Sequence, residues 1–208
     1  PTFLKADVGT LRDGTSLGEL GLALKDIAWD YSQRLFLATT SDKDYSLLIF
    51  DADKLAFPEE ASLAVHAGSC FNLTIDPSGK YVATGGADHT IGVINAVEFI
   101  TTKVITAVDA TINRLAFSYD GQYLASATEQ KQIVIYDPRT GEIIQTLDTP
   151  GPQESLTWHP SKYVLAFAGE DDSKEGKAEP TFRIIGLGKD NTTPQPAPLP
   201  TPVLTTPN

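Results

Sequence analysis

The sequence predicts an all-β fold of propeller type, in which small antiparallel sheets of one design stack face to face around an axis. Three observations carry this reading. Short runs rich in Val, Ile, Leu, Tyr, Phe and Thr alternate with turn residues along most of the 208 positions, as in chains of strands joined by tight turns. One pattern occurs four times: an apolar-x-apolar triplet, a turn, a run ending in small residues, a polar turn and a closing apolar strand. Its period, about 40–45 residues with several strands per unit, is that of propeller blades.

The units follow in order. The first, "IAWDYSQRLFLATTSDKDYSLLIFDADK" (27–54), closes on Phe50-Asp51; its "LLIF" is near-continuously apolar, as a strand covered on both faces should be. Before it, "SLGELGLALK" reads as an outer strand, so residues 1–21 are expected to hold the end of an upstream blade. The second, "LTIDPSGKYVATGGADHTIGVINAVE" (73–98), places Ser78-Gly79 where a hairpin needs a positive φ, and closes on Ile94-Asn95. The third, "LAFSYDGQYLASATEQKQIVIYDPRT" (115–140), uses Asp120-Gly121 in the same way. It closes on Tyr136-Asp137 and turns through Asp137-Pro138-Arg139-Thr140-Gly141 into a fourth strand, "EIIQTL". The small residues Thr84-Gly85-Gly86 and Ala125-Ser126-Ala127 suit a narrow site near the axis.

The fourth unit (156–188) closes on Ile185-Gly186 after an acidic insert, "EDDSKEGKAEP", which reads as a solvated loop. Trp29, Ile75, Phe117 and Trp158 hold one place in the repeat, 46, 42 and 41 residues apart. The closing pairs step by 44, 42 and 49 residues, the last step lengthened by the insert. Residues 22–188 are therefore expected to form four blades. The tail, 189–208, has prolines at every second position from Pro194 to Pro202, so it offers neither a ladder donor nor a PxxP motif. It reads as disordered or polyproline II. The four visible blades are expected to be the C-terminal part of a roughly seven-bladed ring whose other blades lie upstream. An opening on Pro1 and the lack of any Met fit a piece of a longer protein.

Charge excludes several functions. Sixteen Lys and Arg against 27 Asp and Glu give a net charge of −11, and the cations are scattered. Phosphate binding needs clustered cations, so direct RNA binding and docking on anionic membrane are not expected. No apolar stretch is long enough to cross a bilayer. The lone Cys70 excludes an internal disulfide framework and fits a reducing compartment. The sequons at Asn72 and Asn191 read as chance.

Catalytic chemistry is not visible either. His66, His89 and His159 lack the spacing of a metal pair, and Cys70 lacks a CxxC partner and reads as a buried, inert thiol. Ser69 has no nucleophile elbow, and "GLGKDN" opens no helix as a phosphate loop would. Glu170, Asp171, Asp172, Glu175 and Glu179 lack the spacing of a calcium loop. No catalytic, cofactor or metal residue is assigned, and the chain is read as a non-enzyme. The turn residues His89, Glu129, Lys131 and Arg139, with Asp88, are the candidates to face a partner.

The repeat resembles the WD40 family. That family's closing Trp-Asp is approached by Phe50-Asp51 and Tyr136-Asp137, weakened at Ile94-Asn95 and lost at Ile185-Gly186. The family's His, Ser/Thr, Asp and Trp hydrogen-bond set falls on His66, Thr84 and Asp88, with Ile94 in place of the Trp; the other blades lack the His. More narrowly, "IDPSGKYVATGGAD", "LAFSYDGQYLASATE" and Trp158-His159-Pro160 followed by "LAFAGEDD", a charged insert and "FRIIGLG" are similar to the last blades of the WD40 subunit of the THO complex. The resemblance covers roughly 22–188. It implies a nuclear, non-catalytic scaffold within the assembly coupling transcription to mRNA packaging and export (TREX). It also implies docking on a larger helical THO subunit, contact with export factors through other subunits, and no membrane. Two other classes are weighed: another WD40 adaptor, reading a chromatin or ubiquitin-ligase peptide, and a propeller enzyme. An enzyme would gather Asp, Glu, His or Arg at the axial ends of inner strands, which are read here as Thr84, Ser126 and Ala168.

Overall fold

A computed structural model describes residues 2–6, 14–19, 23–30, 32, 34–39, 46–51, 54, 56–57, 62–172 and 178–187. These form seventeen strands and, among the described residues, no helix. The first two, β1 (Thr2–Ala6) and β2 (Gly14–Glu19), pair antiparallel as a separate two-stranded sheet. Four blades follow. Blade 1 is β3 (Leu24–Trp29), β4 (Arg34–Thr39), β5 (Ser46–Asp51) and β6 (Ser62–Ala64). Blade 2 is β7 (Cys70–Ile75), β8 (Tyr81–Gly86), β9 (Ile91–Asn95) and β10 (Ile100–Ile105). Blade 3 is β11 (Ile112–Phe117), β12 (Leu124–Thr128), β13 (Gln132–Tyr136) and β14 (Ile143–Asp148). Blade 4 has three strands, β15 (Gln153–Trp158), β16 (Val164–Asp172) and β17 (Ala178–Gly186). All pairings are antiparallel meanders, so the fold is a partial WD40-type β-propeller.

The first strands of successive blades lie side by side, β3 against β7, β7 against β11 and β11 against β15, which makes them the inner strands. Trp29, Ile75, Phe117 and Trp158 are each the last residue of such a strand. These strands begin three residues before the sequence units do. The reason is a bulge: in all four the ladder slips near the second residue, between Leu24 and Asp26, Cys70 and Asn72, Ile112 and Arg114, and Gln153 and Ser155. An extra residue breaks the period-two pattern and hides the strand's first turn of alternation from a sequence reading.

Each central strand supplies both neighbours. On β13, Val134 and Tyr136 join the core shared with blade 2, while Ile133 and Ile135 join the core shared with blade 4. On β8, Val82 faces blade 1 and Ala83 faces blade 3. This is why "IVIY" is apolar at every position. The small residues of β8 and β12 stand one strand out from the axis, not beside it as the sequence reading placed them. They admit the next blade instead: a Cβ on Gly85 would stand 2.5 Å from the Ile112 side chain. The hairpin glycines Gly79 and Gly121 both have φ of 70°. The acidic insert differs from expectation as well. Glu170↔Pro180, Asp171↔Glu179 and Asp172↔Ala178 continue the β16–β17 ladder, so both ends of the insert lengthen a hairpin; residues 173–177 lie outside the described residues. Arg183 secures it with a two-point ion pair to Asp171 (2.9 and 2.5 Å). The sequence readings for 189–208 lie outside the described residues.

Two substitutions test the packing. Leu115 is 3% exposed in the core between blades 2 and 3, and Leu115→Ala should cost about 2–5 kcal/mol in a chemical melt of the full-length protein. Gly85→Ala, which deletes nothing, should still cost about 1–3 kcal/mol by overpacking against Ile112; a neutral result would mean that the blades do not approach as described.

Candidate interaction surfaces

The antiparallel meander puts the turns of every blade at two opposite ends. One end gathers the second-to-third-strand turns and the connections between blades. There His66, in the connection entering blade 2, is buried. Its Nε2 lies 2.9 Å from Thr84 Oγ1 and its Nδ1 lies 3.0 Å from Asp88 Oδ1 and from Thr90 Oγ1. Asp88 also accepts the Ala67 N–H at 2.8 Å. The geometry gives one tautomer, Nδ1–H donating to Asp88 and Nε2 accepting from the Thr84 hydroxyl. Burial pushes the His66 pKa below its ordinary 6.5, outweighing the Asp88 charge and the hydrogen bonds that pull it up. Asp88 lies below its ordinary value: burial would raise it, but the Ala67 N–H, His66 and Thr90 together outweigh burial. His66, Thr84 and Asp88 are thus brought together, and Ile94, in place of the family's Trp, packs apolar in the core shared with blade 1. Blade 3 keeps a remnant without histidine: Tyr136 Oη lies 3.2 Å from Ser126 Oγ, and burial pushes the phenol up to about 12.

The candidate partner-facing residues do not form one group. His89, Glu129 and Lys131 stand exposed on the turns at the His66 end. His89, at φ 64°, reaches Asp109 of the next connection at 2.8 Å. Arg139 belongs to the other end, in the turn from β13 to β14, where it donates twice to Asp137 at 3.2 and 3.1 Å. That end carries a feature the sequence reading missed. Between blades 2 and 3 a cavity of about 290 Å³ opens among Asp76, Tyr81, Val93, Phe117, Asp120 and Arg139. Asp76 and Asp120 lie in the first turns of consecutive blades and each binds its own turn, Asp76 through Tyr81 N–H (2.6 Å) and Ser78, Asp120 through the Ser118 hydroxyl (2.8 Å) and Gln122 N–H (3.1 Å).

Next to it, Tyr163 donates to Asp120 at 2.5 Å, linking blade 4 to blade 3, and packs with Tyr119 and Tyr123. The signal was present but misaligned. "HPSKYV" lacks the glycine of "DPSGKYV", so by register Leu165 opposes Trp158 as Val82 opposes Ile75. Val164 therefore takes the strand position of Tyr81, and Tyr163 moves into the turn.

The axial strand ends also differ from the sequence reading, since Thr84, Ser126 and Ala168 lie on second strands. The inner strands carry Asp26, Asn72, Arg114 and Ser155 just past the bulge. Asp26 accepts the Leu73 N–H at 3.1 Å and pairs loosely with Arg114 at 3.5 Å, while Asn72 donates to the Ile112 carbonyl at 2.8 Å. These bonds tie blade to blade. Asn72 is 1% exposed, which leaves its sequon inaccessible; Asn191 lies outside the described residues. Cys70 is buried, and burial pushes its thiol up to about 12, the state of an inert cysteine. Among the described residues no group of three or more His, Cys, Asp or Glu is placed to hold a metal, and no helix is long and apolar enough to cross a membrane.

A family model described as "Eukaryotic translation initiation factor eIF2A" matches residues 12–135, more than half of the chain. The chain belongs to that family. The match to this eIF2A family runs from β2 through blades 1 and 2 to the third strand of blade 3. Among curated proteins, the chain is 29% identical over 165 residues to THO complex subunit 3 of Arabidopsis thaliana, covering 79% of this chain and 51% of that protein. It is 27% identical to WD repeat-containing protein AAC3 of Dictyostelium discoideum, covering 80% of this chain and 34% of that one. Protein hir1 of Schizosaccharomyces pombe is 25% identical, with 72% of this chain and 18% of hir1 covered. The chain thus spans at most about half the length of these relatives. Among solved structures, the β-propeller domain of Cps50 (Swd1) from Myceliophteria thermophila superposes with a TM-score of 0.61 at 23% identity, over 71% of this chain and 48% of that one. U3-55K superposes at 0.66 and 16% identity, over 79% and 53%. At these identities the structures speak for the propeller fold.

The His66 set makes a pH prediction. The folded pKa of His66 lies below the unfolded value of 6.5, so the folded state binds fewer protons between the two. The stability it supports is whole above 6.5 and is lost as pH falls from 6.5 through the folded pKa; the Asp88 contribution follows only below 3.8. Denaturant midpoints should therefore drop between about pH 7.5 and about pH 5.5, and His66→Gln should flatten that drop while lowering stability at the upper pH. An equal drop in the variant would remove His66 as the cause.

Proposed function

We propose that this chain is the propeller of a non-catalytic scaffold in a THO-type assembly, coupling transcription to mRNA processing and nuclear export through protein–protein contacts. One observation carries the reading: similarity to THO complex subunit 3 extends over 79% of the chain, further than the eIF2A family match reaches. The motifs of the fourth blade, from Trp158-His159-Pro160 through "LAFAGEDD" to Gly186, lie beyond residue 135, where the eIF2A match ends, and support it. On this reading the protein works in the nucleus, docks on a larger helical subunit, and leaves RNA contact to other subunits. The net charge of −11 favours that division of labour.

The reading includes a larger ring of about seven blades. Ile27 and Trp29 are 56% and 58% exposed on one flank of the stack, and Phe182 and Ile184 are 67% and 61% exposed on the other. Trp158 shows what covers such a position: its indole N–H donates at 3.1 Å to the Ala116 carbonyl of the preceding blade. Trp29 has no such partner among the described residues, and a preceding blade would supply it. On this reading residues 1–21 close that preceding blade, 22–188 are the last four blades and 189–208 are an appended Pro-rich tail.

A second reading has its own support. The eIF2A family description names a translation initiation factor, and AAC3, named only as a WD repeat-containing protein, matches over as much of the chain as the THO subunit does; another WD40 adaptor, reading a chromatin or ubiquitin-ligase peptide, would use the same surfaces. Affinity purification of the tagged full-length protein from its native cells, followed by mass spectrometry, separates the two. THO subunits should be recovered stoichiometrically. Recovery of initiation factors or of chromatin-assembly or ligase subunits without THO would overturn the proposal.

A further inference from the structure

We propose that the cavity between blades 2 and 3 is a socket for an arginine side chain presented by a protein partner. The inference rests on the scaffold reading only in taking the ligand to be a protein segment. Its floor and wall are apolar and aromatic, from Tyr81, Val93 and Phe117, and its volume of about 290 Å³ suits one long side chain rather than a folded element. Asp76 and Asp120 both line the same space, the first buried and the second exposed. Asp76 is 6% exposed, and a Cβ on Gly121, next to Asp120, would stand 3.5 Å from Asp76 Oδ2. The first turns of consecutive blades thus meet at the cavity.

Their hydrogen bonds leave room for a ligand. An ionised carboxylate has about four acceptor sites. Asp76 uses three, on Tyr81 N–H, Ser78 N–H and the Ser78 hydroxyl. Asp120 uses three, on the Ser118 hydroxyl, Gln122 N–H and the Tyr163 hydroxyl. Among the described residues neither has a cationic partner. The rim cation, Arg139, is already engaged by Asp137 at two points, so it adds no net positive charge to the socket. A buried carboxylate without a counter-charge favours a cation that can reach it. Arginine meets every wall at once: its planar fork donates to two carboxylates, its plane stacks on aromatic rings, and it gives up water more readily than an ammonium.

The test uses the full-length protein, isotopically labelled, and the peptide acetyl-Ala-Ala-Arg-Ala-Ala-amide with lysine, norleucine or glutamate in place of the arginine. The arginine peptide should shift the amide signals of Val93, Thr102 and Gln122 saturably, lysine more weakly and norleucine not at all. Asp120→Asn should weaken arginine binding about tenfold, and Asp109→Asn, at the other end, should leave it unchanged. Thr102 also lines the cavity, so Thr102→Lys places a cation there without touching either carboxylate turn and should abolish binding even where Asp120→Asn fails to fold. Equal binding of arginine and norleucine, tighter binding of glutamate, or no saturable shift overturns the socket. Affinity purification of the wild type, set beside its peptide titration, keeps the two proposals apart. If the wild type recovers THO subunits but shows no arginine binding, the socket falls and the scaffold stands; if it binds arginine but recovers no THO subunits, the scaffold falls and the socket stands.

Discussion

The fold depends on one constraint: an interior sheet must be apolar on both faces, because it is a filling between two others. Four strands of about six residues cannot bury enough surface alone to offset the entropy of ordering them. Stacked, blades 2 and 3 each share two cores, and alternate residues of β8, β9, β12 and β13 are divided between them. Interior strands must therefore combine bulk with close approach. Tyr136, Ile91 and Ile112 supply bulk, while Gly85, Ala83, Ala125 and Ala127 supply closeness. A large residue on one blade meets a small one on the next, the pattern that fills an interior at crystal-like density.

The same constraint explains why one sequence position has two fates. Trp29 and Trp158 end equivalent inner strands, yet one is 58% and the other 7% exposed. Side-chain identity does not differ between them; the neighbour does. Trp158 leans on blade 3, stacks near Tyr123 and donates to Ala116. Burial in a repeat fold is thus a property of the pair of units rather than of the unit, and the exposed Ile27 and Trp29 of blade 1 and Phe182 and Ile184 of blade 4 are two ends of that logic.

Much of the fold was legible in the sequence because strand periodicity and turn chemistry are local. The triplets ending at Trp29, Ile75, Phe117 and Trp158, the glycines Gly79 and Gly121, and the fourth strand at 143–148 follow from residues within one turn of each other. What was not legible is long-range or subtractive. The bulge near the second residue of each inner strand hid the strand starts, because an inserted residue cancels alternation. The ladder of 170–172 with 178–180 was masked by charge, which marks solvent exposure and does not by itself exclude a hairpin. The small residues of β8 and β12 were read as axial, although their smallness answers to the next blade. As for the sites, His66, Thr84 and Asp88 could be placed from the WD40 resemblance because the family's hydrogen-bond set lies within one blade. The cavity needed Asp76 of one blade beside Asp120 of the next, a proximity no single repeat encodes.

The division of labour between strands and turns follows from these facts. Strand positions are committed twice over, to a ladder and to two cores, so changes there are constrained from every side. Turns are committed once, and blade 4 shows the freedom this gives. Loss of one glycine from its first turn leaves the ladder register intact, with Leu165 opposite Trp158. It nevertheless moves Tyr163 out of the strand and onto Asp120 of blade 3. A change that would have turned every side chain over in a strand becomes, in a turn, a new polar contact between blades. Propeller surfaces can therefore acquire specific recognition residues at their ends while the stacked interior stays as it is, and the ends of blades 2 and 3 are where acidic and aromatic side chains from different repeats converge.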